Sequence, residues 1–407
     1  MAVGILHAQG LLEFDDPANV ISGRADRSGV ILAGLEAKLR AKGVEVIRIS
    51  SESLKGEFTS PPNLSVLYVF PLCAKYFEDL PKKVRTKLEE WDERGLLFNP
   101  LGALIAQTDK RATTEAFKKH GVAIPETLIS SNSNELAAFV KNHRVAILKP
   151  THGAGGGNIL FLVWKDGTVY ARVPQDGRIV ELPCEFKHYT TRHSRLYSAH
   201  THDGRVHIHG EVVVQEVIQP EGRWNESVLK VYVVDGRAAF GVELTRSAST
   251  PEESIITYAN AEHRLVDVKS IPKEAVELAV KAAAALGLRA CLVDLIKKNG
   301  GWVALETNGD NIYTIHDRGY RFAQGFKPEF DFDEHLASAL AARDTLSDRK
   351  RAPDNRRDKH VCAPLPVSPD PFARAKGVTL PRPGQAGEGR QPLSLAQAGK
   401  PNKITVK

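Results

Sequence analysis

Residues 145–164 read VAILKPTHGAGGGNILFLVW. A β-branched and aliphatic run ends at Lys149, a segment from Thr151 to Gly157 follows, and a second aliphatic run returns; this predicts strand, glycine loop, strand. Gly153, Gly155, Gly156 and Gly157 leave main-chain N–H groups unobstructed, so the loop can close over an anion, and Lys149 at its entrance supplies a positive charge. A phosphate suits such a loop, and a turn joining two buried strands is the plainer alternative. The lysine precedes the glycines and no Lys-Ser or Lys-Thr follows them, so this is not a P-loop; nor is the spacing the dinucleotide G-x-G-x-x-G.

Before this stretch, residues 2–8, 44–49 and 64–70 are short apolar runs, with a helical pattern over 28–42 closed by Gly43. That order predicts a β-α-β opening on a parallel sheet. With an amphipathic helix from Pro81 to Arg94 and the run GLLFNP at 95–100, residues 1–107 read as a small α/β domain. Thr108 is then expected to cap a helix that stops at Gly121, and Asn132 or Ser133 a second helix leading into the Val145 strand.

After the stretch, Gly157 to Gln215 is strand-like but polar and holds His188, His193, His200, His202, His207 and His209. His207 and His209 share one face of a strand, but no carboxylate or cysteine sits at a matching sequence position, so a solvated or substrate-lining face is expected rather than a metal site. EVVVQEVI at 211–218 is followed by two strands joined at Asp235-Gly236, a strong hairpin signal, and by a helix from a Ser270 cap to Gly287 with Pro272 in its first turn. The domain reading continues as 108–218 and 219–344.

The last hairpin of that third unit, ACLVDLIKK, NGG, WVALETN, carries the second informative pattern. A three-residue loop of Asn299, Gly300 and Gly301 pairs Lys298 with Trp302 and places Asp294 opposite Glu306, with Asn308 on the same face. Opposed carboxylates destabilise a sheet unless something neutralises them, and a hard divalent cation such as magnesium would do so. A solvent-facing acidic hairpin is the alternative.

Composition bounds the rest. The chain of 407 residues, 42% hydrophobic and 26% charged, has room for two or three domains. Its net charge of +6 is concentrated at the end: residues 345–407 hold 13 Lys or Arg against 5 Asp or Glu, and 9 of the 23 prolines. A disordered, basic, proline-rich tail is expected there, able at most to make a weak, salt-sensitive contact with an acidic partner. Cys73, Cys184, Cys291 and Cys362 are scattered, the opening MAVGILHAQG is not a secretory signal, and no apolar run approaches a membrane span, so a cytoplasmic setting without membrane contact is expected.

In order along the chain, Asp109-Lys110, Leu148-Lys149-Pro150 with the glycine loop, Gln215 to Ile218, Val293 to Ile296 and Leu305 to Asn308 resemble the ATP-grasp superfamily, in particular its RimK-type glutamate ligase branch. The resemblance covers residues 1–325. It implies an α+β ATP-grasp fold: a parallel N-terminal domain followed by two ATP-grasp subdomains. It implies that Lys110, Lys149 and Lys230 bind nucleotide and that the Thr151 to Gly157 segment closes on its phosphates. Gln215, Glu216, Val217 and Ile218 would form the adenine hinge, with Glu216 accepting from the adenine amino group. Asp294, Glu306 and Asn308 would hold magnesium, which manganese can replace, and Arg246 would lie near the transferred phosphate.

The sequence departs from that pattern in places. Lys230 stands where RimK-type enzymes usually carry arginine, Asn225-Glu226-Ser227-Val228 stands where the family often has an acidic ribose contact and leaves that contact unassigned, the 157–215 segment is long, and Gly309-Asp310-Asn311 replaces a small-residue-proline turn. The implied activity is ATP-dependent ligation of a carboxylate, from an amino acid or peptide, to an amine through an acyl phosphate, with Lys149 and Arg246 stabilising the transferred phosphoryl group. A phosphotransferase, or a nucleotide-binding regulatory protein without turnover, are the alternatives. Arg192, Arg195, Arg205 and Arg246 are candidates to hold the substrate carboxylate.

Overall fold

The structure, a computed structural model, describes residues 2–7, 27–50, 64–69, 81–151, 159–175, 178–187, 198–219, 224–256, 261–309 and 331–351. Gly153 and Gly155 to Gly157, His188, His193, Arg192, Arg195, Cys73 and the chain beyond Arg351 lie outside these residues. Strands β1 (Ala2–His7), β2 (Glu45–Ser50) and β3 (Leu64–Val69) form the expected parallel sheet in the order β2-β1-β3. Helix α1 (Arg27–Ala41) ends as Gly43 takes φ +74°, which returns the N–H groups of Gly43 and Val44 to the carbonyls of Arg40 and Leu39. Helix α2 (Lys82–Glu93) follows, then the GLLFNP run, where Leu97 bridges Leu67 of β3, and a short helix α3 (Leu101–Ala106) that the sequence reading did not anticipate.

Helix α4 (Lys110–Lys119) is capped by Asp109, not Thr108. The Asp109 carboxylate accepts from the Arg111 N–H at 2.8 Å, whereas the Thr108 hydroxyl turns back to the Ile105 carbonyl. A carboxylate also complements the helix dipole, so the aspartate is the better cap of the two.

The central unit is an eight-stranded sheet. Its strands are β4 (Thr127–Ser130), β5 (Val145–Pro150), β6 (Leu160–Lys165), β7 (Thr168–Gln175), β8 (Arg178–Lys187), β9 (Ser198–His202), β10 (Arg205–His209) and β11 (Val212–Glu216). Their order is β4-β11-β5-β6-β7-β8-β10-β9. Helix α5 (Ser133–His143), capped by Asn132, covers one face through Leu136, Phe139 and Val140 against Ala146, Leu148, Leu160, Leu162 and Ala171. Alternation then puts Ile147, Lys149, Phe161, Arg172 and Gln215 on the other face, as the pairs Ile147–Gln215, Ile147–Phe161 and Phe161–Arg172 confirm. His207 and His209 on β10 are only 5% and 8% exposed, so the solvated alternative does not hold for them.

The third unit is a five-stranded sheet of order β14-β13-β12-β15-β16. Its strands are β12 (Ser227–Val234), β13 (Arg237–Thr245), β14 (Glu262–Asp267), β15 (Ala290–Lys298) and β16 (Gly301–Asn308). Asp235 and Gly236 form the two-residue turn with φ +46° and +75°. Helix α6 (Lys273–Leu286) is not capped by Ser270, which closes a separate 3₁₀ turn capped by Asp267; Pro272 sits at the N-cap, where its missing N–H costs nothing.

One face of this sheet (Leu229, Val231, Val233, Cys291, Val293 and Leu295) packs on α6 and on the N-terminal helices, where α4 contributes Phe117. On the other face Tyr232, Val234, Ala290 and Leu292 are buried with β1, β3 and a final helix, α7 (Phe332–Arg351). That helix runs seven residues into the stretch expected to be disordered from 345. It is anchored by Phe332, Leu336, Ala337 and Leu340, and the residues that follow, rich in Arg, Lys, Asp and Ser, continue a helix already nucleated by that packing.

Candidate functional site

The even-numbered face of the β12–β15 pair changes character along its length. Register places Val234 beside Ala290, Tyr232 beside Leu292 and Lys230 beside Asp294, so the apolar core gives way to a lysine–carboxylate pair within one step. Lys230 Nζ lies 2.5 Å from Asp294 Oδ2, and each side chain is 9% exposed. On the next strand Glu306 is the register partner of Asp294, and Asn308 donates to Glu306 Oε1 at 3.2 Å.

The opposition of Asp294 and Glu306 was expected, but by another route. The connecting loop has two residues, Asn299 and Gly300 with φ +46° and +81°, and Lys298 pairs with Gly301 rather than Trp302. Uncorrected, that register would set Asp294 opposite Leu305. A β-bulge between Asp294 and Leu295 makes Leu305 the extra residue and restores the carboxylate pair.

The central sheet meets this face with Lys149. Its ammonium donates to Gln215 Oε1 at 2.8 Å, and Gln215 Nε2 in turn donates to Thr127 Oγ1 at 3.1 Å, so the buried Gln215 side chain orients the lysine. Lys110, the first residue of α4, sends its main-chain N–H to the Thr151 carbonyl at 2.8 Å, which fastens the helix start to the point where the glycine loop begins.

The electrostatics show that these groups share one site. Burial, with Lys110 adding to it, pushes the Lys149 ammonium below its ordinary pKa while Glu306 and Asp294 pull the other way. Burial pushes the Asp294 carboxyl up to about 6 despite Lys230. Burial also acts against ionised Glu306, but Lys110, Lys149 and Lys230 outweigh it and hold that carboxyl below its ordinary value. Three lysines thus surround two carboxylates, a balance suited to a polyanion accompanied by a cation.

Asp294 Oδ1 is buried and has no hydrogen-bond partner among the described residues. Leaving such an atom unsatisfied costs about 1–3 kcal/mol, so it is the natural point for a ligand. Among the described residues no three His, Cys, Asp or Glu side chains converge as an all-protein metal cage. Two carboxylates, one with its unsatisfied oxygen, and an amide oxygen instead fit a magnesium ion that keeps water and phosphate oxygens in its shell.

The hinge residues sit where β11 leaves the central sheet. The Glu216 carboxylate is taken: its Oε1 accepts from Lys298 Nζ and, at 2.6 Å, from the Glu126 N–H. Val217 follows, and Ile218 joins Ile296, Val303 and Leu305 in a small apolar cluster directly beside the Asp294 column.

Arg246 lies one residue past β13, its N–H on the Glu226 carbonyl; Ser249, then the Thr250 N–H and last the Arg246 charge hold the exposed Glu253 carboxyl below its ordinary value. Arg205 on β10 is exposed and paired with Glu185 of β8; β10 lies four strands from β5, roughly 19 Å along the sheet at ~4.8 Å per strand. Its described partner is Glu185, not a group of the Lys149 site. Sequence reasoning missed Lys298, Thr127 and Gln107, whose Oε1 accepts from the Gly309 N–H at the end of β16. None belongs to a local pattern; each is defined by a partner far away in sequence.

A parallel N-terminal sheet, a largely antiparallel central sheet with a lysine facing inward, and a third sheet with paired carboxylates make up a fold like that of ATP-grasp ligases of known structure. Residues 112–189 match the family model for the prokaryotic glutathione synthetase ATP-grasp domain. The chain is 30% identical over 105 residues to the glutathione synthetase of Buchnera aphidicola subsp. Baizongia pistaciae (strain Bp), a match covering 26% of this chain and 32% of that protein's length. Among solved structures, the ATP-grasp ligase PsnB complexed with its minimal precursor superposes with a TM-score of 0.51 at 16% identity, covering 84% of this chain and 99% of that one. PsnB complexed with minimal precursor, Mg and ADP gives 0.50, covering 84% and 97%.

Proposed function

We propose that this protein is an ATP-dependent carboxylate–amine ligase of the RimK-like type. The observation that carries the proposal is the column Lys230, Asp294, Glu306 across three adjacent strands, faced by Lys149 and Lys110 from the other side. A magnesium ion, or manganese in its place, held by Asp294, Glu306 and Asn308, would neutralise charge on the ATP phosphates. The glutathione synthetase match and the Mg and ADP in the PsnB complex support the same ligands.

Adenine stacks on Ile218, Ile296 and Leu305 and takes its edge contacts from the main chain of Glu216 and Val217. The glycine loop, from Thr151 to Gly157, closes on the phosphates. A substrate carboxylate oxygen attacks the γ-phosphorus as the bond to the bridging oxygen of ADP breaks, giving an acyl phosphate. An amine then attacks the acyl carbon, releases phosphate and gives up a proton, leaving an amide. Lys149 and Arg246 stabilise the transferring phosphoryl group; no protein nucleophile is required, because the work is positioning and charge neutralisation.

The carboxylate comes from an amino acid or peptide, in keeping with the substrates that the relatives' names and complexes indicate. Among the described residues no helix is long and apolar enough to cross a membrane; a cytoplasmic setting and a weak acidic partner for the basic tail complete the proposal.

The test is an ADP-release screen of amino acids and short peptides offered in pairs, with the product read by mass. Substrate-dependent ADP and an amide are expected, and Glu306→Gln should lower turnover at least about 100-fold while leaving the circular dichroism spectrum unchanged. A stable phosphorylated product, or normal turnover in that variant, would overturn the assignment.

A further inference from the structure

Asp294, Ile296 and Lys298 point to the same face of β15, two residues apart, so each is about 7 Å further along the strand than the last. The first belongs to the charged end of the site and the second to the apolar cluster with Ile218. The third ends on Glu216, where β11 leaves the central sheet. One strand therefore carries, in order, a phosphate end, a base floor and a tie to the hinge.

We infer that Lys298 is a positioning residue that sets the nucleobase preference of the site by fixing the hinge main chain through Glu216. This rests on the nucleotide reading above. The geometry is specific. Glu216 Oε1 receives both the Lys298 ammonium and the Glu126 N–H, while the Glu216 N–H returns to the Glu126 carbonyl at 3.0 Å. The residue is thus pinned from its side chain and its main chain, and the peptide that follows it has its direction set.

The base is read by that direction. A carbonyl at the hinge accepts from the 6-amino group of adenine and faces the 6-oxo group of guanine acceptor to acceptor, so discrimination depends on the carbonyl being held in place. Without Lys298 the half-buried carboxylate keeps only the Glu126 amide, loses its counter-charge and turns toward water, taking the hinge with it. Lys298 touches the base in none of this; it acts through Glu216.

The experiment measures binding of ATP and of GTP, each with magnesium, to the full chain and to Lys298→Met, Lys298→Arg and Lys281→Met. Lys281 is the control: its ammonium donates to the Gly121 carbonyl at 2.7 Å, a comparable interelement tie outside the site. Expected are about a 10-fold loss of ATP affinity and a reduced ATP-to-GTP ratio in Lys298→Met, recovery of both in Lys298→Arg, and no change in Lys281→Met. If the wild-type chain binds ATP and Lys298→Met matches it in affinity and base preference, the inference falls alone. A wild-type chain that binds no nucleotide would overturn the nucleotide reading and this inference together. A Lys298→Met protein that melts earlier yet keeps its ATP-to-GTP ratio also overturns the inference, since a merely structural lysine would behave that way.

Discussion

The sheet that carries Lys149 and the sheet that carries Asp294 and Glu306 are held in place by different means. The third sheet is buried on both sides in cores it shares with the N-terminal unit: Leu229, Val231 and Val293 pack with Trp91, Leu104 and Phe117, while Tyr232, Phe240 and Leu292 pack with Val3, Ile5, Phe98 and Phe332. Asn99 adds a polar seam, accepting from the Arg289 and Ala290 N–H groups at 2.8 and 2.9 Å and donating to the Ala290 carbonyl. The central sheet has a core of its own, built only from α5 and β4 to β11. Its other face is tied to the third unit by a few polar contacts, among them Lys298–Glu216 and Arg172–Glu252. The carboxylates therefore stand on a fixed base, and Lys149 rides on a unit joined to that base, among the described residues, by polar ties such as these and the small Ile218 cluster.

The sharpest way to break that contrast is to damage each core separately. Phe240, fully buried and stacked on Tyr232 at 4.4 Å, and Leu162, fully buried in the central core, serve as the pair. Truncation to alanine should cost about 3–5 kcal/mol for Phe240→Ala and about 2–5 kcal/mol for Leu162→Ala. Hydrogen exchange should then rise in β1 to β3 together with β12 to β16 for the first variant, and only in β4 to β11 and α5 for the second. Equal acceleration everywhere in Leu162→Ala would mean that the chain unfolds as one unit.

A second effect, of intermediate size, follows from the fixed base itself. Asp294 is kept rigidly buried, and its carboxyl is raised from the ordinary 3.8 to about 6. Because the folded value lies above the ordinary one, a bound proton favours the folded, cation-free protein, and this contribution is lost as the pH rises through about 6. The ionised form is the one that serves a cation. Stabilisation by Mg–ATP should therefore weaken several-fold between pH 7 and pH 5, and Asp294→Asn should flatten the profile. Thermal shifts across that range decide it; an unchanged magnesium response at pH 5 would place the cation elsewhere.

Much of this arrangement was legible in the chain, for physical reasons that differ by element. Asp235-Gly236 announces its turn because few residues other than Gly, Asn and Asp accept positive φ at both central positions. The Asp294–Glu306 pair was reached with the wrong loop length and without the bulge, two one-residue errors that cancel, since sequence alone does not mark Leu305 as the extra residue. Helix α7 was legible and was overlooked: Phe332, Leu336, Ala337 and Leu340 recur at helical spacing. The burial of His207 and His209 was not marked in the chain, because residue type does not say which face of a strand is covered. The tie between Lys298 and Glu216 was beyond reach, because a contact across 82 residues exists only once both sheets are in place.

The smallest expected effect probes the contacts on the movable side. Arg172 Nε and one terminal nitrogen meet Glu252 Oε1 and Oε2 at 2.6 and 3.2 Å, and the other terminal nitrogen meets Glu181 at 3.2 Å. Two-point guanidinium–carboxylate geometry is the stronger kind of ion pair, but Arg172 and Glu252 are 22% and 25% exposed, so solvent screens much of the attraction. A double-mutant cycle of Arg172→Ala and Glu252→Ala should return a coupling of about 0.5–1 kcal/mol, with exchange in β7 and β8 faster and the shared core unchanged. The pair acts as a clasp: it biases the central sheet toward the carboxylates without supplying the stability of either unit. A coupling above about 2 kcal/mol, or loss of order throughout the central sheet, would show that this sheet depends on the clasp for its fold, and the contrast between a fixed and a movable side would fail.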